Sequence, residues 1–148
     1  MKLLLMRHGE ASYSGGRSDK ERPLTIHGKE QATRAGAWLK SQGLGPDVIL
    51  CSSALRTRET WQMLQTSAQI TAQAHLLDDL YLANPHELLE AIQSAPADTQ
   101  CLLIIAHNPG LSTLASALSE QRIGMGTAHV VVFEHTHNYT TLECRFSA

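Results

Sequence analysis

Lys2-Leu3-Leu4-Leu5-Met6-Arg7-His8-Gly9-Glu10 sets four uninterrupted apolar residues directly before an arginine, a histidine and a glycine. A short continuous apolar run of this kind reads as a strand buried on both faces, as at the centre of a parallel sheet covered by helices. Gly9 permits a sharp turn where the strand stops, so Arg7 and His8 are held by a rigid element yet face a cleft. A cation and an imidazole delivered there point to an anionic substrate and histidine chemistry.

Two further runs have the same character. Asp47-Val48-Ile49-Leu50-Cys51 ends at Ser52-Ser53, and Cys101-Leu102-Leu103-Ile104-Ile105-Ala106 ends at His107-Asn108-Pro109-Gly110. Helical patterns lie between them. Ile26 to Gln42 carries Ala32, Ala35, Trp38 and Leu39, with Thr25 as N-cap and Gly43 as stop. Ala54 to about Thr66 follows the second strand, His86 to Ser94 follows the cap-and-proline pair Asn84-Pro85, and Leu111 to Leu118 follows the third strand. Gln69 to Leu77 alternates enough for a further strand, and Asp78 to Ala83 reads as a loop. Ala11 to Arg22, polar with a glycine pair, reads as a mobile loop beside the site. Thr127 to Phe133 and Tyr139 to Phe146 read as a C-terminal antiparallel hairpin. The expected fold is an α/β three-layer sandwich: a mostly parallel central sheet with helices on both faces and that hairpin at or near one edge.

At 148 residues the chain is expected to form a single domain, 1–148, able to bury ~70% of the surface it exposes unfolded. Its net charge of −2 offers no basic footprint for nucleic acid. No apolar run approaches the ~18 residues needed to span a membrane, and the N-terminus lacks a secretory pattern. Cys51, Cys101 and Cys144 are odd in number and sit in apolar or strand-like segments, as reduced core thiols do. A soluble cytoplasmic monomer is the expectation.

In sheets of this class ligands bind beyond the carboxyl ends of the strands. Three such ends carry Arg7-His8, Ser52-Ser53 leading to Arg56, and His107, so two arginines and two histidines can converge. Guanidinium forks suit a tetrahedral dianion, and the helix N-termini after Ser53 and Asn108 add backbone donors. The implied ligand is a phosphoryl group. Taken singly, Arg7 reads equally as an ion-pair partner, His8 as a strand-end residue and His107 as a buried, satisfied histidine.

Taken in order, Arg7-His8-Gly9-Glu10 after the first strand, Pro23-Leu24-Thr25 with Gly28 and Ala32, Ser52 to Thr60 (SSALRTRET), and His107-Asn108-Pro109 resemble the histidine phosphatase superfamily, with its phosphoglycerate mutase-like fold. The resemblance covers nearly the whole chain. The short length and the segment AHNPGLS are most similar to the SixA-type phosphohistidine phosphatases. The resemblance implies that His8 is the nucleophile, forming a covalent phosphohistidine, with its other ring nitrogen held by a backbone carbonyl near Gly9. It further implies that Arg7, Arg56 and His107 bind the equatorial phosphoryl oxygens, with no metal or cofactor required.

Members acting on esters place a carboxylate after the third strand as general acid, a place matched here by Asp79, before Leu80-Tyr81. A phosphoramidate nitrogen accepts a proton more readily than an alkoxide oxygen and needs this help less. Asp79 therefore stands as a possible acid or a linker residue. Arg58, expected on another helix side than Arg56, reads equally as a structural or rim residue and as a ligand, Glu10 as a loop-shaping carboxylate or an aid to proton transfer, and Asn108 as a helix cap. His129, His135 and His137 lack the spacing of a metal site. The implied activity is a phosphohistidine phosphatase acting on a phosphohistidine-bearing protein. The alternatives are a small-molecule phosphomonoesterase acting on a small phosphorylated substrate, or a non-catalytic phosphate-binding or phosphoprotein-binding module.

Overall fold

A computed structural model describes residues 1–13, 15–138 and 140–148. In chain order its elements are β1 (Lys2–Arg7), α1 (Ile26–Ser41), β2 (Val48–Ser52), α2 (Leu55–Ala68), β3 (Ala74–Leu77), α3 (Pro85–Gln93), β4 (Cys101–Ala106), α4 (Gly110–Ser119), β5 (Val130–His135) and β6 (Thr140–Phe146). Single 3-10 turns lie at Asp19–Glu21 and Asp78–Leu80. The sheet runs β3-β2-β4-β1-β5-β6. Its first four strands are parallel, β5 is antiparallel to β1, and β6 is antiparallel to β5.

The apolar runs are continuous because both faces of the sheet are covered. Side chains alternate across a strand, so Leu3 and Leu5 of β1 pack on one face with Leu88 and Ile92 of α3 and Leu111 and Leu114 of α4. Leu4 and Met6 pack on the other with Ala35 and Leu39 of α1 and Trp61 and Leu64 of α2. Leu102 and Ile104 join the first cluster, and Leu103 and Ile105 the second. Each fully buried leucine, isoleucine or methionine among them contributes roughly 1.5 to 3 kcal/mol. Two cores around one sheet make the three layers that the alternation of elements predicts.

The helix ends follow from local chemistry. Thr25 caps α1 by accepting from the Gly28 N–H at 2.9 Å, and Gly43 takes φ +67° just beyond it. Asn84 and Glu87 form a reciprocal capping box at the start of α3, with Pro85 in its first turn.

Three segments differ from the sequence-based expectation. Within Gln69 to Leu77 only the last four residues form a strand. Gln69 turns left-handed (φ 56°) to end α2, and the Ile70 N–H returns to the Gln65 carbonyl. Asp78–Leu80 is a 3-10 turn within the expected loop. Thr127 to His129 precede β5, because their backbone serves the end of β1: Ala128 N–H donates to the His8 carbonyl and the His129 carbonyl accepts from Arg7. Tyr139, expected to start the last strand, and Ser14, within Ala11 to Arg22, lie outside the described residues. The remainder of that loop is closed by an Ala11–Leu24 bridge and by Arg22 Nε donating to the Ser12 carbonyl at 2.7 Å.

Cys51 and Cys101 are buried free thiols, which burial pushes up to about 12 and about 11. Among the described residues no helix is long and apolar enough to cross a membrane.

The first turn of α1 is pressed against the turn that leaves β1. A Cβ on Gly28 would lie 2.1 Å from the Glu10 carbonyl oxygen, and one on Gly9 would lie 2.5 Å from that of Gly28. Both obstacles are backbone, so neither can swing aside. Gly28→Ala is expected to lower stability by ~1 to 3 kcal/mol, the cost of overpacking, read as a lower urea midpoint. An unchanged midpoint would mean that α1 can withdraw from the turn freely.

Candidate active site

The register of the parallel strands brings three chain segments to one end of the sheet. Arg7 lies beside Ala106, and Cys51 beside Ile105, so His8, Ser52 and His107 leave the sheet at nearly one level. Arg56 joins them from the first turn of α2. The end of β1 is pinned on three sides. His8 N–H donates to the Ala106 carbonyl at 3.4 Å, and the His8 carbonyl accepts from Ala128 at 2.9 Å. Gly9 N–H donates to Thr60 Oγ1 at 3.0 Å. The Thr60 hydroxyl in turn donates to the Arg56 carbonyl at 2.7 Å, tying the β1 turn to the helix that carries Arg56.

His8 is 8% exposed. Its Nδ1 lies 2.7 Å from the Gly9 carbonyl, which can only accept, so Nδ1 carries the proton and Nε2 keeps a lone pair. Burial pushes His8 down from 6.5 to about 4, against the Gly9 hydrogen bond and with help from the positive charge of Arg56, Arg7 and Arg22. The ring is neutral at neutral pH.

Around it are donors. Arg56, 3% exposed, donates Nη1 to the Asp19 carbonyl at 2.8 Å and Nη2 to the Asp19 carboxylate at 3.1 Å. The same carboxylate accepts from Arg22 Nη1 at 3.0 Å and from the Tyr81 hydroxyl. These bonds, Tyr81 first, hold Asp19 well below the usual carboxylate range. Arg7 donates Nη1 to the Met125 carbonyl at 3.3 Å, while its buried Nε has no partner among the described residues.

His107, 2% exposed, packs its ring 5.3 Å from that of His8 and meets Tyr81 edge-on at 5.5 Å. Burial first, then His8 and Arg56, push it down to about 3. Its Nε2 lies 2.8 Å from Ser52 Oγ, and its buried Nδ1 has no partner among the described residues. Buried donors are nearly always satisfied in folded proteins. Two buried nitrogens left unpaired among the described residues, beside a neutral imidazole protonated on Nδ1, form a cradle suited to an anion.

Arg7, His8, Arg56 and His107 are thus brought together as the sequence implies. Asp79 is exposed on the 3-10 turn after β3. Its neighbour Asp78 is the carboxylate that turns to the rim, accepting from Ser53 Oγ at 2.5 Å and Lys20 Nζ at 3.0 Å. Arg58 is turned away to the Ser53 carbonyl. The N-cap position of α4 is Pro109 rather than Asn108, but Asn108 Oδ1, one residue earlier, accepts from the Ser112 N–H at 3.2 Å, and Glu10 accepts from the Thr25 hydroxyl at 2.9 Å, shaping the turn. His129 Nδ1 accepts from the Gly126 N–H, and His135 Nδ1 lies 2.7 Å from Thr140 Oγ1.

Asp19, Arg22, Tyr81 and Ser52 belong to the site without having been assigned to it from sequence. Arg22 stands immediately before Pro23-Leu24-Thr25 and Ser52 opens SSALRTRET, so position was the available signal for both. Asp19 and Tyr81 meet only through folding.

The family profile described as the histidine phosphatase superfamily (branch 1) matches residues 3–81. An uncharacterized protein of Mycobacterium tuberculosis is 36% identical over 114 residues, covering 77% of this chain and 70% of its own. A phosphohistidine phosphatase SixA homolog of Haemophilus influenzae is 38% identical over 98 residues, 62% of this chain and 52% of its own. Among solved structures, the protein histidine phosphatase SixA complexed with tungstate superposes with a TM-score of 0.90 at 24% identity, over 99% of this chain and 97% of that one. At that identity the likeness speaks for the fold.

Both pocket histidines stay neutral in the folded protein at pH values where the unfolded chain has already taken up protons. Between about 6.5 and the folded values of about 4 and about 3, the unfolded chain binds more protons, so stability falls as pH falls. The urea midpoint is therefore expected to drop on acidification through this window, and the double variant His8→Asn, His107→Asn to show a shallower slope. Equal slopes would place the acid sensitivity elsewhere.

Proposed function

The chain belongs to the histidine phosphatase superfamily, and on that premise we propose that it is a phosphohistidine phosphatase acting on a phosphoprotein through a covalent intermediate on His8. One observation carries the reading: a neutral imidazole with its proton held on Nδ1 by Gly9 stands beside two buried nitrogens with no partner among the described residues, Arg7 Nε and His107 Nδ1. As N–H donors both fit phosphoryl oxygens, and the free Nε2 fits phosphorus.

In the first step His8 Nε2 attacks phosphorus in line. A new P–N bond forms, and the bond to the substrate's ring nitrogen breaks, its electron pair returning to that ring. Arg7, Arg56 and His107 hold the equatorial oxygens, where negative charge gathers. In the second step water attacks phosphorus and the electron pair returns to His8 Nε2, releasing inorganic phosphate. A protonated imidazole leaves as a neutral ring, so this substrate does not require a carboxylic acid opposite His8. Asp79, exposed on its turn, is then a linker residue rather than the acid.

The protein-substrate preference is supported by the loops that frame the pocket. Residues 8–25 and 78–84 each hold one 3-10 turn and no longer insertion among the described residues. We take the cytoplasm as the compartment, on the free buried thiols of Cys51 and Cys101.

Single-turnover reaction with a carrier protein phosphorylated on histidine, run beside a phosphate monoester, tests the proposal. Acid-labile phosphate is expected on the wild type and not on His8→Ala, with the carrier strongly preferred. Arg56→Ala is expected to lower kcat by ~10² to 10³. Label acquired from the ester alone would reassign the substrate to a small molecule, and label from neither would leave a binding module.

A further inference from the structure

Ser52 is fully buried at the end of β2, and its hydroxyl has two neighbours. The Ala54 N–H, 3.3 Å away, can only donate to it. His107 Nε2, 2.8 Å away, is the acceptor that its hydrogen reaches among the described residues. With Oγ already accepting from the backbone, the arrangement that pairs both the Ser52 hydrogen and His107 Nε2 has the Ser52 hydroxyl donating to an unprotonated Nε2. The proton of neutral His107 then resides on Nδ1, the buried atom with no partner among the described residues. The reverse tautomer would leave the serine hydrogen without an acceptor and give Nδ1 only a lone pair to turn toward an anion.

We propose that Ser52 is a positioning residue, which fixes His107 as the Nδ1-protonated tautomer and so presents an N–H, not a lone pair, to the phosphoryl oxygen. The placement of the ring supports this. His107 is held between His8 and Tyr81, so rotation about its ring axis is restrained and Ser52 selects which nitrogen faces which neighbour. The logic is that of a hydrogen-bond partner on one imidazole nitrogen deciding the chemistry of the other. Only the kinetic part of the proposal rests on the phosphohistidine phosphatase reading.

The test combines long-range nitrogen–proton NMR of histidine-labelled protein with kinetics for wild type, Ser52→Ala and Ser52→Thr. Wild-type His107 is expected to show a protonated Nδ1 and a bare, hydrogen-bonded Nε2 at neutral pH. Ser52→Ala is expected to shift the signal toward the Nε2-protonated form and to lower kcat by up to ~10², below the loss of a whole anion donor, with KM nearly unchanged. Ser52→Thr, which restores the hydroxyl, is expected to recover both the spectrum and kcat. A wild-type His107 protonated on Nε2 would overturn the inference whatever the substrate, as would Ser52→Ala with a shifted tautomer and undiminished kcat. The kinetics are read on whichever of the histidine-phosphorylated carrier and the monoester is turned over. The expected spectra together with turnover of the ester alone would leave the tautomer assignment standing and remove the phosphohistidine reading.

Discussion

Positive charge and burial act together on His8, and the chemistry of the site depends on that combination. Withdrawal from water costs the imidazolium its hydration, and Arg56, Arg7 and Arg22 add repulsion, so the ring is neutral well below the pH at which free histidine protonates. A protonated ring would have no lone pair for phosphorus. The guanidinium groups around the pocket therefore also keep the His8 Nε2 lone pair available. His107, under the same field, is likewise neutral, so its role as a donor depends on tautomer rather than on charge.

The sheet makes this concentration of charge possible. Parallel register aligns the ends of β1, β2 and β4, and the carbonyls and amides of His8, Ala106 and Ala128 lock the turn after β1. The contact of Gly28 with Glu10 seats α1 against that turn, and Thr60 links it to the helix carrying Arg56. Two separately packed cores, one on each face, hold the platform rigid beneath the pocket.

Much of this was legible in the sequence. Apolar runs such as Leu3 to Met6 and Leu102 to Ala106 announce doubly buried strands, and polar or glycine-bearing residues at their ends mark the site. Caps at Thr25 and Asn84 were readable because their partners lie three residues away. The carbonyl partner of His8 was readable because it is the next residue. What escaped is long-range. Asp19 meets Arg56 across 37 positions and Tyr81 across 62, and no local pattern encodes such meetings. Gln69 to Leu77 was misjudged in extent because alternation there competes with a helix end, which the left-handed turn at Gln69 decides. Thr127 to His129 have the composition of a strand, yet their backbone groups are drawn to Arg7 and His8 instead.

The carboxylate of Asp19 has a consequence for the kind of anion the pocket can favour. In the resting molecule Arg56 and Arg22 already have a counterion, so the cavity is nearer to electroneutral than its arginines alone indicate. A visiting monoanion that took over Arg56 would exchange one carboxylate-like charge for another and gain little. A dianion brings a second charge and further oxygens for Arg7 and His107, and can outcompete the resident group. By charge alone, a built-in counterion of this kind favours a dianion over a monoanion at Arg56, the valence that distinguishes a phosphoryl group from a carboxylate.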